Sequence, residues 1–222
     1  MILSRLFLNP RSRDVQRALG DSHAMHARVM SMFPVTDSPS PRAELAVLYR
    51  LERSEGADAL TLLVQSKMPP DATRLPTGFL DPRAGQDAFS SKELGPLLEG
   101  LSIGSRLRFR LRANATRKID TKSEPGGKRR NGRRVPVRGE EARLHWLTRH
   151  LAASGLRLAG SSIQRPEGTA RGHASGTARM HDAHVFEGIV EVVDVDLARR
   201  AVRSGVGPAK AYGFGLLSLA RA

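Results

Sequence analysis

Hydrophobic and polar positions along the chain switch between two periods, and the switches mark out its elements. Ile2 to Asn9 alternates and is rich in branched and aromatic residues, which predicts a strand that Pro10 ends. A helical stretch from Ser12 to Leu19 breaks at Gly20; Asp21 or Ser22 then caps a second helix that runs to Phe33 and stops at Pro34. Val35 to Pro41 reads as a polar loop. Leu45 to Arg53 and Ala59 to Lys67 predict two strands joined through Ser54, Glu55 and Gly56 as a hairpin. Residues 68 to 90 hold several Pro and Gly without a period, and Lys92 to Gly100 predicts a short helix.

From Arg106 to Arg112 the alternation is unbroken. Leu107, Phe109 and Leu111 face one side, and Arg106, Arg108, Arg110 and Arg112 face the other. Asp120 to Arg134 is Gly-containing and strongly basic, with Lys122, Lys128, Arg129, Arg130, Arg133 and Arg134, which predicts a mobile loop in the absence of a ligand. Glu140 to Ala153 is the clearest helix, with Leu144, Leu147 and Leu151 as its buried stripe and Gly155 as its end. Leu156 to Gln164 and Ala183 to Asp194 predict strands flanking a long polar excursion. Asp194 or Asp196 then opens a helix through Arg203, and Phe214 to Ala220 returns to a strand. This half reads β, α, β, β, α, β, and the first half reads β, α, β, β and a weak α. The order predicts an α+β protein of two tandem ferredoxin-like (βαββαβ) domains, 1–100 and 101–222, meeting near Gly100.

Composition narrows the chemistry. With no cysteine, disulfides, thiolate nucleophiles and cysteine-built zinc sites are excluded. No apolar run is long enough to span a membrane, and Met1 to Arg5 lacks the features of a signal peptide, so a cytoplasmic protein with no membrane partner is expected. The net charge of +14 is concentrated in the middle. Residues 1–100 hold 12 basic and 12 acidic side chains, residues 101–150 hold 15 and 4, and residues 151–222 hold 9 and 6. A local excess of this kind points to a phosphate backbone. Aromatic residues make up only 5% of the chain, which favours reading a duplex by shape over stacking many unpaired bases.

Near the C-terminus, Gly205, Gly207, Gly213 and Gly215 bracket Lys210 just before the last strand. Such a loop brings backbone amides and a cation to phosphate, or is a tight turn whose glycines take positive φ. It is not a nucleotide-binding P-loop, because it enters a strand and has Ala after its Lys.

With these residues in view, nearly the whole chain resembles the CRISPR repeat-processing endoribonucleases of the type I-E Cascade complex, the CasE family. The matching stretches are Leu3-Ser4-Arg5, His26 ahead of Phe33-Pro34, Val64-Gln65-Ser66, Arg108 to Asn114, Arg134-Val135-Pro136, Val185 to Gly188 and the loop Gly205 to Leu217. The resemblance implies tandem ferredoxin-like domains and metal-free cutting of the repeat hairpin in precursor CRISPR RNA. It also implies partners: the repeat stem-loop, the mature crRNA that the protein retains, and other Cascade subunits. The isolated protein is expected to be a monomer without cofactor or metal.

His26 stands where the family keeps its catalytic histidine, and His23 stands where the family often has a tyrosine. At i, i+3 the two imidazoles share a helix face and are able to divide the base and acid roles, or His23 serves only to cap or orient. The expected RNA contacts are Arg106, Arg108, Arg110, Arg112, Lys118, Lys128, Arg129, Arg130, Gly205, Gly207 and Lys210, together with Arg165, Arg171 and Arg179 of the excursion, which is similar to the family's basic hairpin. His145 and His150 are read as helix residues and Trp146 as packing, and the spacing of His173, His181 and His184 fits no common metal pattern. The competing readings are a non-catalytic RNA-binding subunit, and a basic ribosome-associated or DNA-binding protein.

Overall fold

A computed structural model describes residues 1–53, 59–119, 133–174 and 177–222. In its first half, β1 (Ile2–Leu8) leads to α1 (Arg13–Gly20), α2 (Ser22–Ser31) and the single turn α3 (Pro41–Glu44). The hairpin strands β2 (Leu48–Arg53) and β3 (Leu60–Ser66) and a fourth strand, β4 (Phe89–Glu93), follow. All pairings are antiparallel, in the order β2-β3-β1-β4. After α4 (Gly95–Glu99), the second half runs β5 (Arg106–Ala113), β6 (Thr116–Ile119), β7 (Arg133–Pro136), α5 (Glu140–Ala152), β8 (Leu156–Ala174), β9 (Thr177–Val192), α6 (Val195–Ser204) and β10 (Leu217–Arg221). Its sheet order, β10-β5-β9-β8, repeats that of the first, with β6 and β7 paired as a separate insert. Two split βαβ units stand in tandem, each with the central pair formed by its first and third strands.

Several expectations change. Between β3 and β4 there is no α-helix but two 3₁₀ stretches, Ala72–Arg74 and Pro82–Ala88, because Pro69, Pro70, Pro76 and Pro82 recur too closely for one. Lys92 and Glu93 finish β4, so the helix expected over Lys92 to Gly100 shortens to Gly95–Glu99. Arg42 to Glu44 complete a helical turn opened by Pro41. Leu144 is 36% exposed, because α5 rotates its buried stripe onto Trp146, Leu147 and Leu151. The polar excursion is strand throughout: β8 and β9 stay paired from Leu156↔Val192 to Ala174↔Thr177, with two register shifts. Of the predicted basic loop, Arg133 and Arg134 belong to β7, whereas Lys122, Lys128, Arg129 and Arg130 lie outside the described residues.

Each sheet carries its own core. Leu6, Leu8, Val15, Val29, Leu62 and Phe79 belong to the first. Phe109, Leu111, Leu147, Phe186, Val190 and Val202 belong to the second, which Leu94 and Leu98 also join. Beside these leucines, the contact between the halves includes a buried polar cluster. Arg50 of β2, 2% exposed, donates from Nη1 to the carbonyls of Arg110 (3.2 Å) and Leu216 (3.0 Å) and from Nη2 to Ser218 Oγ (2.9 Å). Its Nε meets Glu52 at 2.8 Å, and Gln65 Nε2 donates to the Val202 carbonyl at 2.6 Å. Arg50→Met leaves these acceptors without their donor, and breaking such a buried pair costs about 3 kcal/mol. A thermal melt is expected to show a midpoint lower by roughly 6–12 °C for a chain of this size. An unchanged midpoint would mean that the halves are held together by something else.

Candidate active site

Helix α2 starts where Asp21, in extended conformation, accepts the backbone N–H of His23 at 2.9 Å. Met25 and Val29 enter the first core, which leaves His26 half-buried on the adjoining flank and His23 exposed one turn earlier. His26 Nδ1 is buried and makes no hydrogen bond among the described residues. Burial first, then His23 and Arg42, hold the His26 pKa below the ordinary histidine value. The ring is therefore neutral near pH 7 and able to accept a proton.

Tyr49 of β2 lies beside His26, with ring planes 21° apart and centroids 6.5 Å apart. Its buried hydroxyl shares its one proton between the carbonyls of Ala211 (3.0 Å) and Ser22 (3.3 Å), so one side chain ties the first turn of α2 to the glycine-rich loop. Burial raises the Tyr49 pKa well above the usual tyrosine value, which makes the group a permanent donor. The loop closes tightly on this residue, and a Cβ at Gly213 would lie 2.9 Å from the Tyr49 ring.

Gly205, Gly207, Gly213 and Gly215 all have φ between 77° and 87°, a backbone conformation that serves a tight turn and an amide-lined phosphate loop alike. A side chain at Gly205 would strike Leu48, and one at Gly207 would meet Trp146 at 3.1 Å. These two glycines thus fit the loop to the protein. Lys210, in a 3₁₀ turn spanning Lys210–Tyr212, is half-buried, and burial followed by Arg42 lowers its pKa. Arg42 of α3, which the sequence pattern did not single out, therefore acts on both His26 and Lys210. A cleft of about 600 Å³ opens by the first turn of α2, with Ser22 and Met25, Tyr49 and Gly213, and Pro166 and Ala170 of β8 in its walls.

The alternation on β5 holds, with Leu107, Phe109, Leu111 and Ala113 buried, but its arginines are not one free cationic face. Arg112 bonds Glu167 at 2.6 Å and the Gly213 carbonyl at 3.1 Å, and it lies over Phe214. Arg110 pairs with Glu187 (3.1 Å) and Glu52 (3.5 Å). This end of the strand meets the N-terminal half, and guanidinium groups partly removed from water there take carboxylate partners. Arg106 and Arg108 are exposed. At strand rise they lie about 20 and 13 Å along β5 from Arg112.

Lys118 is exposed on β6. Arg165 is exposed at the base of the β8–β9 hairpin and pairs with Glu187 at 3.1 Å. Arg171 and Arg179 lie farther out, opposite Met180 and Gly172 in the pairing, and their side chains fall outside the described residues. Helix α2 packs along β8, and Pro166 and Ala170 of that strand share the cleft with Ser22 and Met25 of the helix.

Two further histidines pack against other residues. His181 shares a 2.9 Å contact with Asn114 and stacks on Tyr212, backing the glycine-rich loop. His150 stacks on the buried Trp146, whose indole donates to the Thr116 carbonyl. No three His, Asp or Glu side chains gather as metal ligands among the described residues, and no described helix is long and apolar enough to cross a membrane.

A family model described as "CRISPR associated protein" matches residues 1–221. The chain is 34% identical to the CRISPR-associated endoribonuclease Cse3 of Thermus thermophilus, over 99% of this chain and 100% of that protein. It is 29% identical to the CRISPR system Cascade subunit CasE of Escherichia coli, over 90% of this chain and 92% of that one. A solved structure of the CRISPR endoribonuclease Cse3 bound to a 19-nucleotide RNA superposes with a TM-score of 0.80, at 30% identity and with 99% and 100% of the two chains covered.

Proposed function

Because the chain belongs to the CRISPR-associated protein family, we propose that it is a Cascade endoribonuclease that cuts precursor CRISPR RNA at the 3′ base of the repeat stem-loop. It acts in the cytoplasm and keeps the mature crRNA within the complex. The observation that carries the chemistry is the half-buried His26, its Nδ1 without a hydrogen-bond partner among the described residues, on a helix packed against the turn that holds Lys210.

Cutting needs no metal in this reading, because RNA supplies the nucleophile. His26 takes the proton of the 2′-hydroxyl at the scissile linkage, the 2′-oxygen bonds to phosphorus, and the bond from phosphorus to the 5′-oxygen breaks. That oxygen leaves protonated, with the exposed His23 as the acid. The upstream fragment ends in a 2′,3′-cyclic phosphate. Lys210 faces the reacting phosphate. Arg106, Arg108, Lys118 and the basic segment Lys128 to Arg130 hold phosphates farther along the stem, with Arg165, Arg171 and Arg179 on the hairpin arm. Arg112, bonded to Glu167, holds the wall of the cleft in shape, and Arg110 is bonded to Glu187.

A labelled repeat hairpin incubated with the protein in EDTA tests this directly. One cut at the base of the stem, a 2′,3′-cyclic phosphate on the upstream fragment and the same rate with added magnesium are expected. A 5′-phosphate on the downstream fragment, or arrest by the chelator, would assign the cutting to water activated by a metal.

A further inference from the structure

We propose that Arg42 contacts the non-bridging oxygens of the scissile phosphate and, with Lys210, takes up the negative charge that grows there as the 2′-oxygen attacks. The proposal rests on the reading of His26 as the proton acceptor at that linkage and adds a catalytic residue that no motif marked.

Three separate elements bring cations or proton-binding groups around Tyr49: the His26 ring lies 6.5 Å from its ring, Arg42 bonds the carbonyl of Val47 two residues before it, and Lys210 precedes the Ala211 carbonyl that its hydroxyl holds. Arg42 comes from α3, His26 from α2, and Lys210 from the turn that Tyr49 holds through the Ala211 carbonyl. Arg42 is half-buried, and its Nη1 donates to the Val47 carbonyl at 3.0 Å, two residues before Tyr49. That bond fixes the guanidinium but uses one of its five N–H groups. Neither Arg42 nor Lys210 forms an ion pair among the described residues.

Three other partly or fully buried arginines behave differently. Arg50 has Glu52, Arg110 has Glu187 and Arg112 has Glu167. The groups that act on His26 are His23 and Arg42, and the group that acts on Lys210 is Arg42, with no carboxylate among them. A half-buried cluster of like charges is costly until an anion enters it. A phosphodiester fits, since guanidinium presents paired donors to two of its oxygens. Its charge rises from one to two in the pentacoordinate species, so cations already in place favour the transition state over the bound substrate.

Single-turnover cutting of the repeat hairpin, and affinity for the same hairpin with a 2′-deoxy cut site, are to be compared in wild type, R42Q, R42K and H26A. R42Q is expected to cut about 100-fold slower, a loss of the size seen when one charge-stabilising donor is removed. Its affinity stays within about threefold, because one of many phosphate contacts is lost. R42K recovers about tenfold of the rate, since it restores the charge without the fork. The His26 ring, followed by NMR in the free protein, titrates at higher pH in R42Q than in wild type, because a neighbouring cation is gone. Wild-type cutting by R42Q alongside an inactive H26A overturns this proposal alone; wild-type cutting by H26A overturns the reading beneath it. A loss in R42Q that is matched by lost affinity or a lower melting midpoint, and is not recovered by R42K, makes Arg42 a structural residue and also overturns the proposal.

Discussion

A repeat hairpin with hydrogen in place of the 2′-hydroxyl at the cut site is expected to be bound normally and not cut at all. In the proposed reaction that oxygen is the nucleophile, and no side chain takes its place. The chain has no cysteine, and Tyr49, the tyrosine beside His26, is held protonated by burial. Affinity is insensitive to the change, because it comes from many basic side chains meeting phosphates, whereas one hydroxyl contributes about 1 kcal/mol at most. Denaturing gels of the products and a mobility-shift titration at one fixed salt concentration read the two quantities. Cutting of the deoxy substrate at a rate near that of RNA would require an external nucleophile and would end the transesterification reading.

Much of this architecture is written in local periodicity. The alternation from Leu107 to Leu111, the stop at Pro34, and Asp194 as the cap of α6, bonded to the Leu197 amide at 2.9 Å, are decided by a few neighbouring residues. β4 is different. Phe89–Glu93 has one apolar residue and pairs on one side only, with β1, so its strand character comes from a partner more than eighty residues away. The arm of β8 and β9 is similar. Beyond Pro166 and His184 its two strands pair only with each other, no core enforces alternation, and the composition reads as polar loop.

For the site, the sequence pattern and the family resemblance reach His23, His26 and Lys210, because a helix face and a glycine-rich loop are local features. They do not reach Tyr49 or Arg42. Tyr49 is an ordinary aromatic in a hairpin strand until the chain brings Ala211 to its hydroxyl, 162 residues away. Arg42 follows a proline in a stretch without periodicity, and the groups it acts on, His26 and Lys210, belong to other elements. The arginines of β5 show the opposite error. Alternation places them correctly on one face, but it does not reveal which of them face carboxylates of other strands, as Arg110 faces Glu187 and Glu52.

His26→Ala is expected to cut about 1,000-fold more slowly while binding the hairpin within a few-fold, within the range that a positioned proton acceptor contributes. The pH dependence separates its role from mere packing. A base works when neutral, so kcat/KM rises as pH passes upward through the pKa of His26 in the free protein. Burial, His23 and Arg42 all oppose protonation, which puts this rising limb below the ordinary histidine value of about 6.5. The falling limb belongs to the acid, which must be protonated, and disappears in His23→Ala if that residue is the donor. In His26→Ala the rising limb vanishes and the rate is low throughout. Processing at the wild-type rate in that variant would favour an RNA-holding subunit with the cutting done elsewhere, because a half-buried imidazole 6.5 Å from the Tyr49 ring would then be no more than a packing residue.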